Sequence, residues 1–357
     1  MKVVFRVDAS TRIGTGHVMR CLTLAKALQQ AGATSLFISR DESGQMIKKV
    51  RGSGFAVIDL LQIQKFKNKD DIEDRFHHVL PQTKDAKQTI GALGKDKPDW
   101  LVVDHYALDL VWERELKPYA RRMLVIDDLV ARIHDCDLFL NQNYGVEEPQ
   151  YDTLLPKVCK KLLGPKYALI RPEYRKARDN MAPRSAKVKR GLIFFGGSDS
   201  VDATSRTLRA LTAPEFLHIK LDVVAGVDYA SLDNLKRIAK SRGKVTIHRN
   251  LPHLADLMAK ADIALGAGGT TTWERCCLGL PSAVVAIADN QISACQKLMR
   301  EGYIQFLGAA EDISESSISL VVSKILTDST ALKNQSLRMQ SLVDGNGANR
   351  VQQAMQL

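Results

Sequence analysis

The sequence predicts an α/β protein built from two doubly wound parallel sheets, and three observations carry that prediction. Short apolar, β-branched runs recur through all 357 residues with helical stretches between them, the alternation expected of parallel β–α–β units. The runs are continuous rather than alternating, as in strands covered on both faces. They also fall into two sets on either side of KARDNMAPRSAKVKR at 176–190, a charged, proline-bearing stretch with the composition of a domain boundary. One core usually stops growing at about 250–300 residues, so the length agrees with two domains, placed at 1–175 and 186–357.

In the first half the strand-like runs lie at 2–7, 35–39, 56–60, 100–104, 123–127 and 138–141. In the second they lie at 191–196, 220–226, 245–248, 262–266, 283–287 and 304–308. The stretch 16–32 places Val18, Cys21, Leu22, Ala25 and Leu28 on one helical face and stops at Gly32. Residues 317–343 read as one or two closing helices. Ligands of such sheets bind beyond the carboxyl ends of the strands, so two facing domains make the cleft between them the expected site.

Composition narrows the function. A net charge of +11 with dispersed Lys and Arg and only 6% aromatic residues lacks the clustered, stacking pattern of nucleic-acid binding. A solvated basic surface or a phosphorylated small substrate remains open. The six cysteines show no C-x-x-C spacing, which argues for reduced, mostly buried thiols. MKVVFRVD is cut by charge too early for a signal peptide, and no run approaches the roughly 18 apolar residues of a membrane span. A cytoplasmic protein without membrane insertion is expected.

The strand ends carry the chemistry. STRIGTGHVMR (10–20) follows the first strand, and its Gly14, Thr15 and Gly16 form a turn opening a helix. Met19 stands where a dinucleotide fingerprint needs its third glycine, and no Gly-Lys-Ser/Thr follows. His17 sits on that seam, where a helix start favours the neutral imidazole; a helix-capping or packed histidine is the competing reading. Gly196 and Gly197 repeat the arrangement at the end of the first strand of the second half, and Ser198 or Asp199 can cap the next helix. GAGGTTTWERCC (266–277) is more specific. Gly268 and Gly269 let the backbone approach phosphate, Thr270 adds a hydroxyl, and Glu274 suits ribose hydroxyls. Asn290 and Gln291 end the next strand with two amides. Asp104, His105 and Tyr106 lie at another strand end, whereas Asp127 and Asp128 are too isolated to argue for metal, and His77 and His78 read as solvated.

Together, FRVDASTRIGTGHVMRCLTLAKAL, DWLVVDHYALD, DDLVARIHDCDLFLNQN, LLGPKYALIRPEY, FFGGSDSVDAT and GAGGTTTWERCCLGLPS resemble the UDP-sugar hydrolases of pseudaminic acid biosynthesis, from residue 1 to DGNGANRV at 344–351. These act on UDP-2,4-diacetamido-2,4,6-trideoxy-β-L-altropyranose and are related to the peptidoglycan N-acetylglucosaminyltransferase. The resemblance implies a GT-B fold of two Rossmann-like domains facing a cleft. It makes His17, within the pattern Arg6, Asp8, Ser10, Ile13, Gly14, Gly16 and His17, the base that activates water, and brings Tyr106 near the reacting sugar. Gly268, Gly269 and Thr270 match its diphosphate loop, Glu274 its ribose ligand, and Asn290 and Gln291 its amide pair near the sugar. The implied partner is a small UDP-sugar taken by a monomer, without metal, other cofactor or nucleic acid, for glycans of flagellin or a surface polysaccharide. Residues 62–98 depart from it as a longer, more charged insertion. A transferase with a non-water acceptor and a non-catalytic sugar-nucleotide binder are the rival readings; the second has no need of His17 and Tyr106.

Overall fold

Strand and helix alternate as expected, and they assemble into two all-parallel sheets. The computed structural model describes residues 1–8, 15–40, 45–60, 81–95, 97–184, 187–197, 199–227 and 229–356. Packing divides the chain into one unit of Met1–Leu169 with Gly347–Leu357 and a second of Ile170–Asn346.

The first unit runs β1 (Lys2–Val7), α1 (Gly16–Gln30), β2 (Thr34–Ser39), α2 (Gln45–Gly52), β3 (Ala56–Asp59), α3 (Gln82–Leu93), β4 (Trp100–Asp104), α4 (Leu110–Leu116), β5 (Arg122–Ile126), β6 (Leu138–Asn141) and β7 (Lys160–Leu163). Its sheet has the order β3-β2-β1-β4-β5-β6-β7, so the winding reverses between β1 and β4. Val3, Phe5 and Val7 pack with α1 on one face, while Val4 packs with Leu101, Val103 and Trp112 on the other. This two-sided cover is why β1, Arg6 apart, reads as a continuous rather than an alternating apolar run. The α1 residues predicted from spacing are all buried, together with His17, Arg20, Thr23, Leu24 and Ala27, and Gly32 takes the positive φ of 82° that ends the turn after it. β7 escaped the sequence reading: it is an edge strand, KKLL, with lysines where a central strand would be apolar.

The second unit runs α5 (Pro172–Asn180), β8 (Arg190–Phe194), α6 (Ala203–Ala210), β9 (Lys220–Val224), α7 (Leu232–Arg242), β10 (Val245–His248), α8 (Ala255–Lys260), β11 (Ile263–Ala267), α9 (Thr271–Cys277), β12 (Ser282–Ala286), α10 (Ile292–Arg300), β13 (Gln305–Ala309), α11 (Glu315–Thr327) and α12 (Ser329–Leu342). The order β10-β9-β8-β11-β12-β13 repeats the reversal, here between β8 and β11. Ile193, Leu221, Val223, Leu265 and Val285 form its core with α6, α7 and α11.

The division by packing differs from the limits 1–175 and 186–357 at two places. Part of the polar stretch 176–190 is the end of α5, whose Tyr174 is buried in the second unit. The final helix, Gly347–Gln356, belongs to the first unit. Its Val351 and Met355 enter the core beside α1, and Trp100 Nε1 donates to the Met355 carbonyl oxygen at 2.8 Å. All six cysteines are buried free thiols.

Candidate active site

At the reversal of the first sheet, Val7 of β1 is the register neighbour of Asp104 of β4. His17 and Arg20, three residues apart in α1, share the helix face turned toward that point. Both reach Asp104. His17 Nδ1 pairs with Oδ1, while Arg20 Nε donates to Oδ2 at 2.6 Å and Nη2 to Oδ1 at 2.7 Å. Burial alone would raise the Asp104 carboxyl, but Arg20 and His17 hold it well below the usual carboxylate range. An ionised carboxylate only accepts, so Nδ1 is the ring donor, and in the neutral ring Nε2 keeps the lone pair. Asp104 was legible only as a polar strand end. The i, i+3 pairing of His17 with Arg20 was the signal that a shared anion lay opposite.

Tyr106 meets the His17 ring edge to face, with centroids 4.6 Å apart and planes at 89°. Its hydroxyl donates to Asp128 Oδ2 at 3.2 Å, an oxygen that also accepts from Arg20 Nη1 at 2.7 Å. Burial, and then the Asp128 charge, push the phenol far above its ordinary range, so Tyr106 serves as a donor rather than a base.

Two further buried charge networks belong to the same unit. Asp8, one residue past β1, accepts from Arg6, from the Arg40 N–H at 2.6 Å and from His105 Nε2 at 3.2 Å. Against the burial that opposes it, Arg6 keeps Asp8 ionised far below the usual range. Both Asp8 oxygens are therefore committed to protein donors. Arg6 continues to Asp85 of α3, with Nη2 to Oδ2 at 2.6 Å, so the insertion at 62–98 contributes a buried anchor as well as surface. The second network joins Glu113, His134 and Asp127: His134 Nδ1 is 2.6 Å from Glu113 Oε1, and Nε2 is 2.9 Å from Asp127 Oδ2. Burial would lower this imidazole, but the two carboxylates raise it to about 9, which keeps it cationic at neutral pH. Arg132 binds Asp127 and also donates to the Tyr106 carbonyl oxygen, tying the network to the Tyr106 loop. Nothing in its local sequence distinguishes His134.

Of the remaining first-unit residues, Thr15 precedes α1 and its carbonyl accepts from the Met19 N–H at 3.0 Å, while Gly16 is the first helical residue. Ser10, Ile13, Gly14, His77 and His78 lie outside the described residues.

In the second unit the reversal between β8 and β11 is lined by glycine turns. Gly197 follows β8, and a Cβ on Gly226, after β9, would run into its carbonyl. Ser198 lies outside the described residues. Asp199 takes the N–H groups of Ala203 and Thr204 at 3.0 and 2.8 Å and so caps α6. After β11, the Gly268 N–H donates to the Val285 carbonyl oxygen at 3.0 Å. A Cβ at Gly268 would run into Cys295 Sγ and lie 3.3 Å from Gln291 Oε1, an oxygen that accepts from the Ile287 N–H at 3.1 Å. Gly268, Gly269 and Gln291 are thus one packed cluster. Asn290 is exposed beside Gln291, and Thr270 is exposed at the start of α9. Glu274 Oε1 is 3.5 Å from Arg171 Nη2, which donates to the Tyr174 hydroxyl at 3.2 Å. Burial raises the Glu274 carboxyl, and Arg171 offsets this in part. Arg171 and Tyr174, from the start of α5, are a support for Glu274 that the sequence did not single out.

Among the described residues no group of three His, Cys, Asp or Glu side chains is arranged to hold a metal ion. No helix among them is long and apolar enough to cross a membrane.

No protein-family model matches the chain. An uncharacterized protein of Methanocaldococcus jannaschii is 27% identical over 323 residues, 86% of this chain, which spans 58% of that protein's length. The UDP-2,4-diacetamido-2,4,6-trideoxy-β-L-altropyranose hydrolase of Campylobacter jejuni is 25% identical over 305 residues, covering 85% of this chain and 98% of that enzyme. The spore coat polysaccharide biosynthesis protein SpsG of Bacillus subtilis is 24% identical, covering 100% of this chain and 98% of that protein. Among solved structures, MurG of Acinetobacter baumannii matches with a TM-score of 0.69 at 15% identity, over 100% of this chain and 99% of that one. The UDP-GlcNAc 2-epimerase of Neisseria meningitidis matches at 0.65 and 12% identity, over 100% of both chains. The fold is GT-B, and the chain is similar over most of its length to a named UDP-sugar hydrolase.

Proposed function

We propose that this GT-B enzyme hydrolyses UDP-2,4-diacetamido-2,4,6-trideoxy-β-L-altropyranose to UDP and free 2,4-diacetamido-2,4,6-trideoxy-L-altrose. The observation that carries the reading is the His17–Asp104 pair at the end of β4, the arrangement a general base requires. Water attacks the anomeric carbon, His17 Nε2 takes its proton, and the bond from that carbon to the UDP oxygen breaks with inversion. Asp104 holds the Nδ1 proton and stabilises the imidazolium that forms, while Tyr106 limits the ring's movement. The nucleotide is assigned to the second unit, its diphosphate to the turn of Gly268, Gly269 and Thr270 and its ribose to Glu274. UDP departs with its charge met by backbone dipoles and needs little protonation. No metal takes part, and the enzyme works as a cytoplasmic monomer on a soluble substrate.

The similarity to the Campylobacter jejuni hydrolase over 98% of its length supports this reading. The test is incubation of the purified protein with a panel of UDP-diacetamido sugars and no acceptor. Release of UDP and free sugar is expected. UDP release that begins only on adding a second sugar or lipid acceptor would reassign the chain as a transferase. In ¹⁸O-water the label is expected in the sugar; label in UDP would mean attack at phosphorus.

A further inference from the structure

The buried carboxylates around the end of the first sheet commit both oxygens to the protein, with one exception. Asp8 binds the Arg40 N–H through Oδ1 and His105 through Oδ2. Asp85 binds Trp112 Nε1 and Arg6, and Asp104 binds His17 and Arg20. Asp127 binds the Leu129 N–H and His134, and Glu113 binds His134 and the Asp135 N–H. Asp128 differs. Its Oδ2 accepts from Arg20 and Tyr106, whereas its Oδ1 is buried and has no hydrogen-bond partner among the described residues.

An empty buried acceptor is costly and rare in native proteins, and such atoms are normally completed by a ligand or water. The position points to the ligand. Arg20 bridges Asp128 to Asp104, the partner of His17, and Tyr106 touches both Asp128 and the His17 ring. Two fixed donors hold Oδ2, so the free oxygen has a set direction, as a recognition group must. We infer that Asp128 is a substrate-binding residue whose Oδ1 accepts a hydrogen bond from an N–H or O–H group on the sugar of the nucleotide sugar. This rests on the sugar-nucleotide reading above and adds to it a contact to the sugar from the first unit.

The test uses the His17→Asn protein, which is expected to hold substrate without turnover, and the same protein carrying Asp128→Asn. Each is titrated with UDP and with UDP-2,4-diacetamido-2,4,6-trideoxy-β-L-altropyranose. The Asp128→Asn change leaves an amide oxygen for Arg20 and Tyr106 but turns an N–H against the incoming donor. UDP affinity should stay the same while the sugar nucleotide binds about 10- to 100-fold more weakly. An unchanged ratio of the two affinities overturns the inference, as does equal weakening of both ligands, which is what a structural defect would give. Should Asp128→Asn fail to fold, Asp128→Ser is scored by the same ratio. A parent protein that binds neither ligand overturns the sugar-nucleotide reading itself, and the inference with it. Titration with UDP-N-acetylglucosamine and UDP-glucose identifies the donor: a loss confined to the former marks an amide N–H, and equal loss marks a hydroxyl.

Discussion

The two units place their candidate site residues at the same point of the same winding, beyond the strands where the sheet reverses, yet they furnish that point differently. The first unit fills it with charge: Asp104, Arg20, His17 and Asp128 in one network, Asp8, Arg6 and Asp85 in another. The second uses glycine, threonine and amide groups, with Gly268 closed against Cys295 and Gln291. Proton transfer needs a ring held in one tautomer and orientation, and a paired, buried carboxylate provides that. Phosphate binding needs close backbone approach, and a turn without Cβ atoms provides that. Turnover should therefore depend mainly on the first unit and nucleotide affinity on the second.

The largest expected effect comes from His17→Asn, which should lower hydrolysis by about 10²–10⁴-fold and leave UDP affinity unchanged; near-normal turnover would remove His17 as the base. Asp104→Asn should follow at roughly 10²-fold in kcat, because an amide cannot fix the Nδ1–H tautomer against Arg20. A change confined to KM would count against that role. Gly268→Ala is the converse probe. Its Cβ would strike Cys295 Sγ, and overpacking of about 1–3 kcal/mol should weaken UDP binding tenfold or more. Preserved UDP affinity in that variant would dissolve the comparison. Glu274→Gln should weaken UDP about tenfold while hardly changing affinity for the ribose-lacking pyrophosphate ion.

The smallest effect is on stability against pH. Burial opposes the His134 cation, but Asp127 and Glu113 raise its folded value to about 9. Its contribution is then complete below the unfolded value of about 6.5 and is lost as pH rises through 9. Asp104 has the opposite sign: its folded value is depressed, so its contribution holds above about 3.9 and is lost as pH falls below that. The melting midpoint should fall by several degrees between pH 7 and 10, and His134→Gln should flatten that alkaline limb. An unaltered limb in the variant would show that another group titrates.

Much of this was legible in the sequence because the signals are local. Continuous apolar runs identified every strand among the described residues except β7, whose lysines reflect its edge position. The glycine turns and His17 stood out because a turn or helix start constrains residue type over a few positions. Asp104 stood out only as a polar strand end, and Arg20, Asp128 and His134 did not stand out. Their meaning comes from partners such as His17 and Asp104, 87 residues apart, or Asp128 and Arg20, 108 residues apart.

The sequence by itself determined two doubly wound sheets, the order of their elements and the turns that carry the candidate site, since periodicity and turn chemistry act within a few residues. Only the tertiary structure decided which charges meet. It brought the final helix back to the first unit, committed Asp8 to Arg6 and His105, fixed His17 through Asp104 and left Asp128 Oδ1 unfilled. The physical reason is that burying a charge is favourable only beside an opposite one, and parallel winding brings distant strand ends to that one place.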